Sequence, residues 1–255
     1  MRSPMIPYLK RLTSRDRSET SDRHLAYVLT FVAGAANAGG FMAVRQYTSH
    51  MSGIVSAMAD NFALGNFALV LAGFAAFAAF VLGAACSAIL IRFGRRHDME
   101  GEYALPLVVE AALLSVFGLL GARFEQQTFF FVSVTVILLC FIMGLQNAII
   151  TKLSNSRIRT THVTGLVTDI GIELGKLAYI NMDRPGSTLP PVRADKPKLV
   201  LFSTLVALFF SGGVIGAVVF AKVGFPAALY LAAIVWIMAI MPVYDDLRRL
   251  IRPHS

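Results

Sequence analysis

One short polar pattern occurs twice in this chain, and that repetition constrains the fold more than any other feature. The first copy is Thr48-Ser49-His50-Met51-Ser52-Gly53 and the second is Thr160-Thr161-His162-Val163-Thr164-Gly165. Each follows an apolar run with a matching end. Gly34, Asn37 and Ala38 correspond to Gly144, Asn147 and Ala148 at an offset of 110 residues, while the motifs are offset by 112. A two-residue insertion in the second connection accounts for the difference. Self-similarity over this distance means a chain built as two like halves.

Six apolar runs surround the motifs, at about 25–44, 67–92, 104–122, 128–150, 198–221 and 225–243. Each is near the length of roughly 20 residues that carries a helix across a bilayer core. The chain is 56% hydrophobic and only 15% charged, against roughly 25% charged in soluble domains. The predicted fold class is an all-α integral membrane protein. Cys86 and Cys140 each fall inside an apolar run. They read as small buried hydrophobes, not as a disulfide or metal pair.

Two shorter segments, 50–64 and 163–180, begin at the motifs. The distribution of Lys and Arg bears on whether they cross, because an excess of these residues marks the cytoplasmic side. If neither crosses and the N-terminus is inside, 20 of the 23 basic residues lie inside, leaving Arg45, Arg123 and Lys222 outside. If both cross, the split falls to 15 against 8. The prediction is six transmembrane helices arranged as two inverted three-helix repeats, each with an extra short polar helix, re-entrant or amphipathic. The expected layout is a basic cytoplasmic tail over 1–24, a first membrane repeat over 25–122, a second over 128–243, and a solvated cytoplasmic tail over 244–255. A signal peptide is set aside, because the Asn37-Ala38 end of the first run recurs at Asn147-Ala148 in mid-chain. The net charge of +8 follows from the same cytoplasmic bias, so no nucleic-acid partner is expected. Ala79, Gly83 and Ser87, and again Gly212 and Gly216, are spaced to let helix backbones approach closely.

As helices, the motif segments carry chemistry on one face. Ser52, Ser56 and Asp60 are four residues apart, and Thr164 and Thr168 repeat that spacing. Asp169, Glu173 and Lys176 form a polar stripe beside it, with Leu166, Ile170, Leu174 and Leu177 opposite. Hydroxyls at a helix start suit an anion or a carboxylate, because the first N–H groups are free there. His50 and His162 add groups that titrate near neutral pH. The candidate substrate-binding residues are Asn37, Thr48, His50, Ser52, Gly53, Asn147, Thr160, His162, Thr164, Gly165, Asp169 and Glu173. Each also has a structural reading: hydroxyls as caps, Asn37 and Asn147 as polar links between helices, Gly34 and Gly144 as packing contacts, Glu173 as a partner of Lys176. Glu110 is an acid inside an apolar run and therefore a functional candidate; the alternative is that it reaches the inner interface or pairs with Arg92 or Arg95. Its counterpart in the second half is Leu231 or a close neighbour. There is no H-E-x-x-H, G-x-S-x-G or phosphate loop, so no catalytic residue, cofactor or metal is assigned and the protein is not expected to be an enzyme.

The motifs resemble those of the YoaK-like family of small bacterial membrane proteins. The resemblance rests on Gly34, Asn37 and Ala38, on residues 48–53, on Gly144-Leu145-Gln146-Asn147-Ala148, and on residues 160–165 followed by Thr168-Asp169. It spans about 25–243. Ile54 departs from it, standing where the resemblance leads one to expect a polar Asn. It implies a six-span protein of the bacterial inner membrane and no particular substrate. The functional expectation is a secondary transporter of a small polar or anionic solute, with both termini cytoplasmic. The expected partners are the bilayer and that solute, with a homo-oligomer left open. The alternatives are a membrane scaffold or sensor acting through its basic inner loops, or a membrane enzyme using His162, Asp169 and Glu173.

Overall fold

The computed structural model describes residues 19–44, 46–124, 128–153, 161–181 and 190–251. Eight α-helices make up the described chain: α1 (Glu19–Val44), α2 (Met51–Ala63), α3 (Phe67–Arg96), α4 (Ala104–Phe124), α5 (Thr128–Leu153), α6 (Val163–Ala178), α7 (Lys196–Val223) and α8 (Ala227–Ile251). Four of them contain stretches long and apolar enough to cross a membrane, namely Glu19–Met42, Phe67–Arg96, Val134–Lys152 and Lys196–Val223. Ala104–Leu119 and Ala227–Ile240 are shorter apolar helices. Leu71, Leu82 and Ile89 on α3, and Val200 and Phe210 on α7, face outward. Helices apolar on both their inward and outward sides fit a membrane-spanning protein, in which lipid covers the outer side.

Three helix pairs form the bundle: α1 with α7, α3 with α5, and α4 with α8. In the first pair Gly212 lies against Phe31, Gly216 against Ala35 and Phe220 against Gly39. These positions advance together, so α1 and α7 run parallel. Gly34 faces the Phe209 carbonyl in return. The second pair repeats the scheme, with Gly83 against Phe141 and Gly144 against Phe80. Phe31 and Phe141 differ by the same 110 residues as Gly34 and Gly144, while Phe80 and Phe209 differ by 129, as do Gly83 and Gly212. One backbone-to-backbone crossing is thus built twice. α4 and α8 are antiparallel: Gly121 meets Phe225, Gly118 meets Leu229, and Trp236 Nε1 donates to Ser115 Oγ at 3.3 Å. α1 and α5 are antiparallel too, with Leu139 against Gly40 and Gln146 against Leu29.

The helix ends have local causes. Asp195 caps α7, its side chain accepting from the Lys198 N–H at 3.0 Å, with a proline in the first turn. Gly65 (φ 76°) and Gly224 (φ 71°) take left-handed conformations in the turns that reverse the chain before α3 and before α8. Two expectations about the ends change. α1 begins before residue 25, and α8 continues past 243, through Pro242, to Ile251. Asp246 is therefore not solvated. It is buried and accepts from the Glu100 and Gly101 N–H groups at 3.0 and 2.8 Å. The tight α3–α4 turn leaves these donors without helical partners, and the carboxylate satisfies them.

Candidate functional site

Both motif helices are short, and both begin about two turns inside the end of the preceding long helix, not at its tip. At the end of α1 the chain doubles back. Ser49 Oγ donates to Asn37 Oδ1 at 2.9 Å, and Ser49 N–H reaches the same oxygen at 3.3 Å. Asn37 lies seven residues before the end of α1, so this anchor sits about 10 Å below it. The second copy is held alike. Thr161 Oγ1 donates to Asn147 Oδ1 at 2.8 Å, and Asn147 Nδ2 donates to the Met143 carbonyl at 2.9 Å. The two asparagines therefore hold the loop in front of each motif helix.

From that depth α2 returns along α3. Ile54 packs in one buried cluster with Ala76, Ala79, Val136 and Cys140. Met58 lies against Gly73, and Phe62 meets Phe67 edge-on at 5.9 Å between ring centres. α2 thus starts beside the interior of α3 and ends at its beginning. In the second copy Leu166 joins the main core, which also contains Phe202 and Leu205 of α7. Further along, Glu173 reaches the start of α7. Its carboxylate takes Lys176 Nζ at 2.9 Å and the Asp195 N–H at 2.8 Å. Lys198 stands 4.0 Å from Glu173 and 3.6 Å from Asp169.

His50 and His162 occupy the N-cap positions, and neither side chain makes a capping bond. The sequence reading, which expected the hydroxyl residues to cap, differs here because Ser52 and Thr164 fall two residues past the cap position, inside the first turn. Each ring instead lies back over the glycine three residues on. A β-carbon at Gly53 would meet His50 Nε2 at 3.0 Å, and one at Gly165 would lie 3.6 Å from His162 Nδ1. The contact accounts for the glycine at 53, where a β-carbon would press into the ring; at 165 the distance is an ordinary van der Waals one and does not demand glycine. Both histidines, Ser52, Thr164 and Gly165 are exposed, whereas Thr48 is fully buried with its hydroxyl unpartnered. Thr160 lies outside the described residues. The candidates therefore form two clusters on separate hairpins. Asn37, Thr48, His50, Ser52 and Gly53 gather at the start of α2; Asn147, His162, Thr164 and Gly165 gather at the start of α6. Asp169 and Glu173 lie farther along α6, engaged with lysines. The Lys176 ammonium, then the Asp195 N–H, hold the Glu173 carboxyl below its usual range. Of the leucines opposite the polar stripe, Leu166 is buried, Leu174 and Leu177 are exposed, and Glu173 of the stripe itself is buried. The ion pairs at the α7 start make that burial tolerable.

A third polar group was only half visible in the sequence. Glu110 does not pair with Arg95, which is bound to Glu102 at 2.8 Å. It is fully buried, and its Oε1 accepts from Gln146 Nε2 at 2.9 Å. Gln146 was read only as part of the repeated run and given no role. Its signal was the difference between copies, since Ala36 stands at the matching place in the first half. Among the described residues no three His, Cys, Asp or Glu side chains gather to hold a metal.

No curated protein and no solved structure matches this chain. A family model does match, over residues 25–241, the range that the YoaK-like motifs span, and the two are consistent. The chain belongs to the family described as protein of unknown function (DUF1275).

Proposed function

We propose that this protein is a six-span carrier for a small polar or anionic solute, with α2 and α6 as inverted, re-entrant half-helices. The helix directions support six crossings. If α2 and α6 return to the side they came from, α1 and α7 both run outward, and α3 and α5 both run inward. Both pairs are then parallel, and α1 opposes α5. If α2 also crossed, α1 and α5 would run the same way. With the N-terminus inside, most basic residues become cytoplasmic, as the positive-inside rule favours. The two halves then have opposite orientation, an arrangement common in secondary transporters.

The observation that carries the function is the pair of uncapped helix starts. Each opens about two turns inside the end of the preceding long helix, has an exposed histidine and hydroxyl beside it, and receives no cap from its N-cap side chain. Such a terminus favours a carboxylate or another anion. Asp169 and Glu173 serve in this reading to fix α6 to α7. The test is solute flux in sealed vesicles containing the full chain, over a panel of small anions and polar solutes. His50→Ala and His162→Ala should each lower the flux at least tenfold. If both variants transport every detected solute at the wild-type rate, the motif helices do not form the pathway.

A further inference from the structure

Glu110 is an acid with no stated use in the carrier reading. It projects from α4 into the core and is 0% exposed, as are Gln146 on α5 and Thr30 on α1. Gln146 Nε2 bridges two oxygens, Glu110 Oε1 at 2.9 Å and the Leu29 carbonyl at 3.3 Å. Glu110 Oε2, Gln146 Oε1 and Thr30 Oγ1 have no hydrogen-bond partner. Glu110 of α4 and Gln146 of α5 thus bring unsatisfied oxygen atoms together beside the Leu29 carbonyl of α1, in a sealed part of the bundle. Titratable groups on the packed sides of the neighbouring helices are Tyr27 on α1, Cys86 on α3, Cys140 and Lys152 on α5 and Asp246 on α8, with Tyr103 in the turn just before α4. Arg95 is taken by Glu102. The hydrogen bond that Glu110 makes is to an uncharged amide, so nothing bonded to it offsets its charge.

The fold does not require this polarity. At the repeat offset, Gln146 corresponds to Ala36, and Glu110 corresponds to the neighbourhood of Leu231; Ala36 and Leu231 are both buried. The matching place in the other half is filled by apolar side chains. A buried carboxylate carries a desolvation penalty that a hydrophobic replacement would avoid, and acids inside membrane spans are functional by default. We propose that Glu110, Gln146 and the Leu29 carbonyl form a binding site for one small monovalent cation, either a proton or a sodium ion. Glutamine suits both states. Its amide donates to the ionised carboxylate and, turned over, accepts from the protonated one. For sodium, the unpartnered oxygens provide the hard ligands that such an ion takes.

Binding is read without flux, so the test does not depend on the carrier reading. The full chain in lipid nanodiscs is titrated with base in choline salt and in sodium salt and followed by infrared difference spectroscopy. Wild type should show a carboxylic-acid carbonyl band that disappears as pH rises and is missing from Glu110→Gln. Gln146→Leu should displace that band by removing the amide. An identical midpoint in the two salts identifies a proton site. A midpoint that falls by about one pH unit per tenfold rise in sodium identifies competition by sodium. Should Glu110→Gln fail to fold, Glu110→Asp must move the band. Spectra of wild type and Glu110→Gln that coincide at every pH and in both salts would overturn the proposal. So would a Glu110 band that persists unchanged in both salts over the whole pH range in which the protein stays folded.

Discussion

Gly144→Ala tests the packing scheme at the point where it is tightest. Gly144 sits where α5 crosses α3. A β-carbon there would lie 2.8 Å from the Phe80 carbonyl carbon and 3.0 Å from its Cα, whereas carbon atoms normally rest about 3.5–4.0 Å apart. The atoms in the way are backbone and cannot rotate aside. The helices must separate by close to 1 Å, and gaps of that size forfeit about a quarter to a half of each contact's attraction. Gly83, which abuts Phe141 in the same crossing, would loosen with it. Alanine also gains up to about 1 kcal/mol of helix propensity over glycine. Overpacking costs about 1–3 kcal/mol, and a rigid obstacle places this site near the upper end, so the expected net loss is about 2 kcal/mol. Gly171 is the control. It is on α6 with no atom within 4 Å of an added β-carbon, and Gly171→Ala should gain up to about 1 kcal/mol. The assay is reversible unfolding of the full chain in mixed micelles. Gly34→Ala, facing the Phe209 carbonyl carbon at 2.9 Å, should resemble Gly144→Ala. The two should add to within about 0.5 kcal/mol, because they lie in different crossings. Gly34→Ala and Gly212→Ala share a crossing and should cost less together than their sum. A Gly144→Ala protein as stable as wild type would show that the helices slide apart freely, and the reasoning from close backbone contact would fail.

Other outcomes follow from the polar contacts. Asn147→Ala removes the acceptor of Thr161 and should cost about 1 kcal/mol; hydrogen exchange should quicken at the start of α6 and stay unchanged in α2. Glu173 has a lowered carboxyl pKa. Its contribution to stability is therefore complete above the unfolded value of about 4.3 and is lost as pH falls through the lower folded value. Acid should expose α6 to protease within that window, and Glu173→Gln should do so at neutral pH. α2, held by Ile54, Met58 and Phe62, should not respond. Asp246→Ala leaves the Glu100 and Gly101 N–H groups without their acceptor and should cost about 2–3 kcal/mol in unfolding.

The sequence made the long helices and the motif helices legible because apolar run length and repetition are one-dimensional signals. Residues 50–64 and 163–180 became α2 and α6 almost unchanged. The pairing of helices was not legible. Gly34 and Gly212 are far apart in sequence, and nothing local reveals which backbone fills the space a glycine leaves. The site was legible as residue types and less so as roles. Asn37 and Asn147 could be read as polar links, but their partners are the loop residues Ser49 and Thr161. Asp246 looked solvated because charged residues at a chain end usually are; its burial depends on two N–H groups 146 and 145 residues away. The role of Gln146 was hidden because an amide in an apolar run has no periodicity of its own.

The two halves share a framework and differ in how it is charged. Both crossings are made by glycine against a phenylalanine carbonyl, and both motif helices are introduced by an asparagine anchor. These shared features are backbone geometry, which tolerates little change. The differences lie in side chains that the geometry does not demand. In the first half Ile54, Met58 and Phe62 hold α2 by apolar contact. In the second, Glu173 and Asp169 hold α6 through lysines and a helix start. The buried acid and amide likewise occur in one form only, where the other half has apolar residues. The second motif carries more charge, and that charge is spent on attaching α6 to α7. The features common to both motifs, an uncapped helix start under a folded-back histidine, are then the better guide to what both helices do, and Glu110 is the better guide to what only one half does.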